Sequence, residues 1–194
     1  MAKLNGADYL LLLLYLNNKE PIMGAVRLEK MMFLFNMEIA PILKEKGLES
    51  DKLPEFIAYN YGPFSKDVYE QVELFKGIKF IQITDLKATE EMVEVDDLEE
   101  MSYEDVSFLN EMTSKGYKLK TDGTYYKYSL LKTGENYVVD NILPSVSDEQ
   151  KALLETFKKK ITSIYPKQLL KYVYSKYPDY TTKSLIKNEV LDDE

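Results

Sequence analysis

The sequence predicts a mainly helical α+β fold with a winged-helix-like core, a β-hairpin and C-terminal helices. Three observations carry that prediction. Residues 9–16 form a strongly apolar run of helical length, and residues 56–61 alternate around aromatics before meeting a capped helix at Gly62-Pro63. Farther on, Asp122-Gly123 separates two strand-like segments, YKLKT and TYYKYSLL. That dipeptide favours the primed turn whose twist matches paired strands.

The first helix is expected over 7–17, closed by the polar, proline-containing turn NNKEPIMG. A second helix takes 25–46, with Val26, Met31, Leu34, Phe35 and Ile39 near helical spacing and a kink or break at Pro41. In the strand that follows, Phe56, Ala58 and Asn60 point one way and Ile57, Tyr59 and Tyr61 the other. Gly62 permits a bend into the next helix, over 65–76, and Pro63 sets the backbone angle after it. Ser65 is the expected side-chain cap of that helix, Asp67 suits its positive end, and Gly77 closes it in a left-handed conformation. Its core face is Val68, Val72 and Phe75, and a short strand over 79–84 follows. Helix, helix, short strand, helix, strand is the order of a winged-helix core, with the helix over 65–76 in the recognition position.

The character changes past residue 84. Between 85 and 111 there are eleven acids against Lys87 alone, and since the whole chain carries −8, the rest carries +2. Such a block reads as a solvated linker or exposed helix face. Ser102 and Asp105 open a helix there that ends at Lys115-Gly116. After the hairpin, SDEQ at 147–150 is a capping box, and Leu153, Leu154, Phe157, Ile161 and Ile164 form one apolar stripe that leaves Lys158, Lys159 and Lys160 mostly outside. A further helix starts near Pro166 and stops before Pro178. The chain divides into a core over 1–84, an acidic segment and helix over 85–112, and a hairpin with C-terminal helices over 113–194, all expected to pack as one domain.

Composition narrows the chemistry. With no histidine and no cysteine, the chain cannot build a Ser-His-Asp triad, a Cys-His pair, a disulfide or a His- or Cys-ligated zinc site. Carboxylate chemistry remains, but Asp179 with Lys183, and Glu45 between lysines, lie outside any strand pattern and read as exposed charges. Gly116, Gly123 and Gly134 are isolated, each explained by a turn or helix end rather than a phosphate loop. No enzyme activity, cofactor or metal is expected. The apolar run at 9–16 is far shorter than the roughly 20 residues that cross a bilayer. Asp8 before it and NNKEP after it do not suit a signal peptide, so the expectation is a cytoplasmic protein with no membrane partner.

The helix segment RLEKMMFLF and the turn segment YGPFSKDVYE, about thirty residues apart, resemble the SocA-like antitoxin (Panacea) group and the related YwgA-like proteins. Leu28, Lys30, Met31 and Phe33 fit the pattern of that helix, Leu-x-Lys, then Leu or Met, then x, then Phe or Tyr, and Tyr61, Gly62 and Pro63 fit its turn. The likeness covers roughly the first eighty residues. KYSLLKTGENYV and LLKYVYSKYPDYTTKS look like later YwgA-like segments. The resemblance implies a small prokaryotic regulator of antitoxin type and brings no catalytic residue.

Three functional readings follow. In the first, the protein binds a toxin or adaptor through exposed aromatics at Tyr59, Tyr61 and Phe64. In the second it binds DNA as a winged helix, using Lys66 and Lys76 with the hairpin lysines Lys118, Lys120 and Lys127. Its chemistry is weak, because Arg27 is the only arginine and Asp67, Glu70 and Glu73 outweigh the two helix lysines. Lys158, Lys159 and Lys160 belong to a basic stretch over 151–187, interleaved with Tyr165, Tyr172, Tyr174, Tyr177 and Tyr180. That stretch suits either single-strand binding or an amphipathic helix pair with wet lysines. The third reading, a carboxylate metalloenzyme, has no motif behind it.

Overall fold

The computed structural model describes residues 3–87 and 124–191. At its centre lies α1, Gly6–Lys19, whose Tyr9, Leu10, Leu11, Leu12, Leu13, Leu14 and Leu16 are all buried. A helix apolar on every side has no solvent face to offer, so the other elements wrap it. Asn5 caps it, exchanging side-chain and backbone hydrogen bonds with Asp8. A short strand before it, β1 (Leu4–Asn5), pairs in parallel with β3 (Ser50–Asp51). The regular helix breaks at Leu16, and Asn17, Asn18 and Lys19 take left-handed angles with φ of 54°, 57° and 61°. Three non-glycine residues in that region cost strain that neighbouring contacts must offset.

The segment expected as a plain turn contains a strand, β2 (Ile22–Met23). Next, α2 (Ala25–Leu34) runs into a wide turn at Phe35–Ile39 and then α3 (Ala40–Glu45). Pro41 therefore does not break the helix. Ahead of it Ala40 N–H donates five residues back, to Phe35 O, so the helix widens where the proline ring would otherwise crowd a carbonyl. The same device recurs in Ile-Leu-Pro at 142–144. There α5 (Lys132–Tyr137) widens over Val138–Ile142 and Leu143 N–H donates to Val138 O.

Gly62-Pro63 does not link strand directly to helix, as the alternation had suggested. The strand over 56–61 is shorter, β4 (Ile57–Tyr59), and folds back through Asn60 and Tyr61 onto β5 (Gly62–Phe64). Helix α4, Lys66–Gly77, follows with Val68, Val72 and Phe75 buried as expected. Two capping expectations fail. Ser65 makes no side-chain cap, and its buried hydroxyl has no hydrogen-bond partner among the described residues. Gly77 stays helical, and Lys79 takes the left-handed turn, with φ 59°.

Strand β6, Ile81–Lys87, pairs antiparallel with β7, Thr124–Leu130, in a register that sets Ile81 opposite Leu130 and Ile83 opposite Tyr128. On its other side β7 pairs with β2, giving the order β2–β7–β6. The first arm of the expected hairpin, the helix over 102–116 and nearly all of the acidic segment lie outside the described residues. Gly134 sits inside α5 rather than at a turn or helix end: a Cβ there would lie 2.4 Å from Phe80 O. Helix α6, Asp148–Ser163, starts on the expected Ser147–Gln150 capping box. Helix α7, Pro166–Lys176, a short turn at Pro178–Thr181 and α8, Lys187–Leu191, complete the described chain.

Candidate protein-binding surface

The β4–β5 hairpin is fastened from below by two charged side chains of α2, Glu29 and Lys30, which are 4% and 3% exposed. Lys30 Nζ donates to Pro63 O at 2.8 Å, and Ser65 N–H donates to the Glu29 carboxylate. An acid from another helix thus binds the backbone amide of the N-cap residue of α4, while the serine side chain itself caps nothing. Burial pushes the Glu29 carboxyl up and the Lys30 ammonium down, while each charge opposes the shift of the other. The Leu-x-Lys helix and the Tyr-Gly-Pro turn, noted from the sequence, are therefore in direct contact.

From the other side Tyr174 locks the hairpin. Gly62 has φ 83°, and a Cβ on it would stand 2.7 Å from the Tyr174 ring. Only glycine meets both demands at little cost. Tyr174 OH shares a 2.9 Å hydrogen bond with Ser184 Oγ, and burial pushes its phenol up to about 12. Leu185 N–H donates to Asn60 O at 2.9 Å, which brings the C-terminal segment against the hairpin turn. Phe56, just before β4, packs edge-on against Phe33, which also meets Tyr177 and Tyr180.

On top of this base lies an apolar ledge. Ile57 is 58% exposed and sits directly across the hairpin from Phe64. Tyr59 and Phe64 rings lie 5.3 Å apart, and Phe64 stacks on Tyr69 of α4 at 5.4 Å. Two of the three expected binding aromatics, Tyr59 and Phe64, thus share one ladder, while Tyr61 occupies the hairpin turn. All three are half-buried rather than exposed, Tyr59 and Phe64 because they lean on each other and Phe64 also on α4. Ile57 and Leu185, the latter 60% exposed, are the more accessible apolar groups and were missed. Alternation already placed Ile57 on the Tyr59 face, so that residue was findable; Leu185 depends on a contact across more than a hundred residues.

The lysines expected for DNA part company. Lys66 and Lys76 are exposed on α4, but Lys66 pairs with Glu70 at 3.1 Å and Lys76 with Glu73 at 3.5 Å. Lys127 lies in β7, opposite Met23 on one side and Thr84 on the other. Lys118 and Lys120 lie outside the described residues. Lys158 corrects the expectation of a wet lysine: it is fully buried, and its Nζ donates to Leu16 O at 2.8 Å and Glu20 O at 2.6 Å. Those carbonyls flank the left-handed residues Asn17, Asn18 and Lys19 at the end of α1. Burial lowers the Lys158 ammonium to about 8. Lys159 and Lys160 are exposed as expected.

Two further junctions use the same chemistry. One guanidinium nitrogen of Arg27 donates to Ile161 O, Thr162 O and Ile164 O at 2.7 to 2.8 Å, closing the C-terminal end of α6. Glu38, in the widened turn after α2, accepts on one oxygen from Tyr172, Lys176 and Tyr177 of α7 and its C-cap at 2.7 to 2.9 Å. Lys176 and those two tyrosines hold the carboxyl below its usual range although burial opposes them. Among the described residues no group of three or more Asp or Glu side chains could hold a metal ion, and no helix is long and apolar enough to cross a membrane. No protein-family model matches the chain, and no curated protein does so.

Proposed function

We propose that this protein is a non-enzymatic, cytoplasmic regulator of antitoxin-like type that acts by binding another protein, a toxin or adaptor, through the β4–β5 hairpin. The observation that carries the reading is the ledge of Ile57, Tyr59 and Phe64: apolar, reachable from solvent, and mounted on a hairpin pinned by Lys30, Glu29 and Tyr174. A pre-ordered apolar and aromatic patch loses little conformational freedom on docking, which is what a stable protein interface needs. The alternative is a winged-helix DNA-binding regulator. The strand order β2–β7–β6 beside α4 supports a winged-helix-like core, with Ile22–Met23 rather than the strand over 56–61 as its first strand. The charge on α4 speaks against duplex binding, since both of its lysines are already matched by glutamates on the same helix.

The test places a photo-crosslinking amino acid at position 57 of the full chain in its native host and identifies what is captured. The affinity of that partner for wild type and for Ile57→Asp is then measured by calorimetry. A single protein partner whose affinity drops at least about tenfold is expected, since a charge would be buried at the contact. Unchanged affinity, or capture of nucleic acid alone, would overturn the reading in favour of the alternative.

A further inference from the structure

The end of α6 and the outer face of α7 carry a second charged surface, which has no part in the hairpin ledge. Between residues 156 and 178 the chain has six lysines and no acid. Lys158 points inward, whereas Lys159, Lys160, Lys167, Lys171 and Lys176 are all exposed, Lys176 also being held by Glu38. Lys167 and Lys171 stand one above the other on α7, about 6 Å apart along the helix axis.

Tyr165 lies between the two sets, as the N-cap residue of α7. It is 63% exposed, the largest value among the large apolar side chains described, although Tyr174 in the same helix is buried. A ring left so far out of the core adds little to folding. Its backbone is nevertheless firmly set. The carbonyls of Ile161, Thr162 and Ile164 before it are held by Arg27, its own carbonyl accepts from Leu169 N–H at 3.0 Å, and Pro166 follows. An exposed ring on a rigid mount, with exposed lysines before and after it in the chain, is an arrangement that can stack a base while the lysines meet phosphates.

We infer that this face binds single-stranded nucleic acid with little sequence preference. Duplex reading is disfavoured, because guanine recognition calls for arginine and Arg27 is spent on the α6 carbonyls. An acidic protein segment would satisfy the lysines but makes no use of the open ring face, whereas every base presents a π-face to it. The inference stands independently of the hairpin reading, since Ile57 and Tyr165 belong to different elements.

The experiment is a fluorescence anisotropy titration of the full chain with labelled oligothymidylate of about 20 nucleotides and with polyglutamate of matched charge, at about 50 and 200 mM salt. Oligothymidylate should bind more tightly than polyglutamate and lose affinity steeply as salt rises. Tyr165→Ala should weaken oligothymidylate at least about fivefold with the salt slope unchanged, while Tyr165→Phe keeps the affinity because the ring remains. Replacing Lys159 and Lys160 by glutamate should flatten the salt dependence, and Ile57→Asp should leave binding as it is. The inference is overturned by no measurable binding at the lower salt. It is equally overturned if polyglutamate binds as well as oligothymidylate, or if Tyr165→Ala changes nothing.

Discussion

The interior of this molecule and the outer face of α4 both carry lysines, and the two settings put them to different use. Inside, Lys30 and Lys158 donate to backbone carbonyls of segments far away in the chain. On α4, Lys66 and Lys76 meet glutamates three or four residues away, in water. The outer pairs contribute a few tenths of a kcal/mol at most, roughly the value of exposed helical ion pairs. The inner lysines are obligatory partners, because a buried ammonium without an acceptor, or a buried carbonyl without a donor, is expensive. Each of them also sits where the backbone is least regular: Lys30 under the hairpin and Lys158 at the left-handed end of α1. In this fold a buried cation marks a junction that helix and sheet ladders leave unsatisfied.

The sharpest way to break this comparison is to bury a charge where no acceptor waits. Val72 is 2% exposed on the core face of α4, and Val72→Asp should unfold the protein, since the cost is several kcal/mol against a total margin of roughly 5–15. An unchanged melting temperature would mean that α4 is not packed as described.

A smaller effect separates two neighbours in sequence. Lys158→Ala should cost about 2–4 kcal/mol in urea unfolding, because Leu16 O and Glu20 O lose their donor and a cavity replaces the stem. Lys159→Ala, on the exposed side, should stay within about 0.5 kcal/mol. Equal losses would erase the distinction between inner and outer lysines.

A further test uses pH. The Glu29 carboxyl is raised above its ordinary value of 4.5 by burial, so the stability it contributes is full below 4.5 and is lost as pH rises through about 8. Lys30 and Lys158 are lowered, so their effect falls between about 8 and their ordinary 10.5 and leaves the window from pH 5 to 8 to Glu29. Wild type should therefore lose stability from pH 5 to 8, and Glu29→Gln should flatten that slope. A wild-type curve that rises across the window would show Glu29 ionised at no cost.

Much of the secondary structure was legible because its signals are local. The capping box at Ser147, the stripe Val68, Val72, Phe75 and the all-apolar run of α1 each follow from residues within a turn or two of each other. The candidate ledge was half legible for the same reason, since alternation sets Ile57 beside Tyr59. Strand β2 escaped notice because two residues inside a turn-like segment carry no periodicity; it is a strand only because β7 lies next to it.

By itself, then, the sequence left α5 and α8 unpredicted but determined α1, α2, α4, α6 and α7, their apolar faces and the exclusion of histidine and cysteine chemistry. Those depend on spacing and on which side chains exist at all. Tertiary structure alone decided the fate of the charges. Three successive lysines look alike in the chain, and Lys158 turns inward only because carbonyls 142 and 138 residues away converge on its ammonium. Ser65 likewise reads as a cap, yet its hydroxyl caps nothing and Glu29 of another helix binds its backbone amide. A polar group goes to whichever partner is nearest in space, and nearness in space is not written in the local pattern.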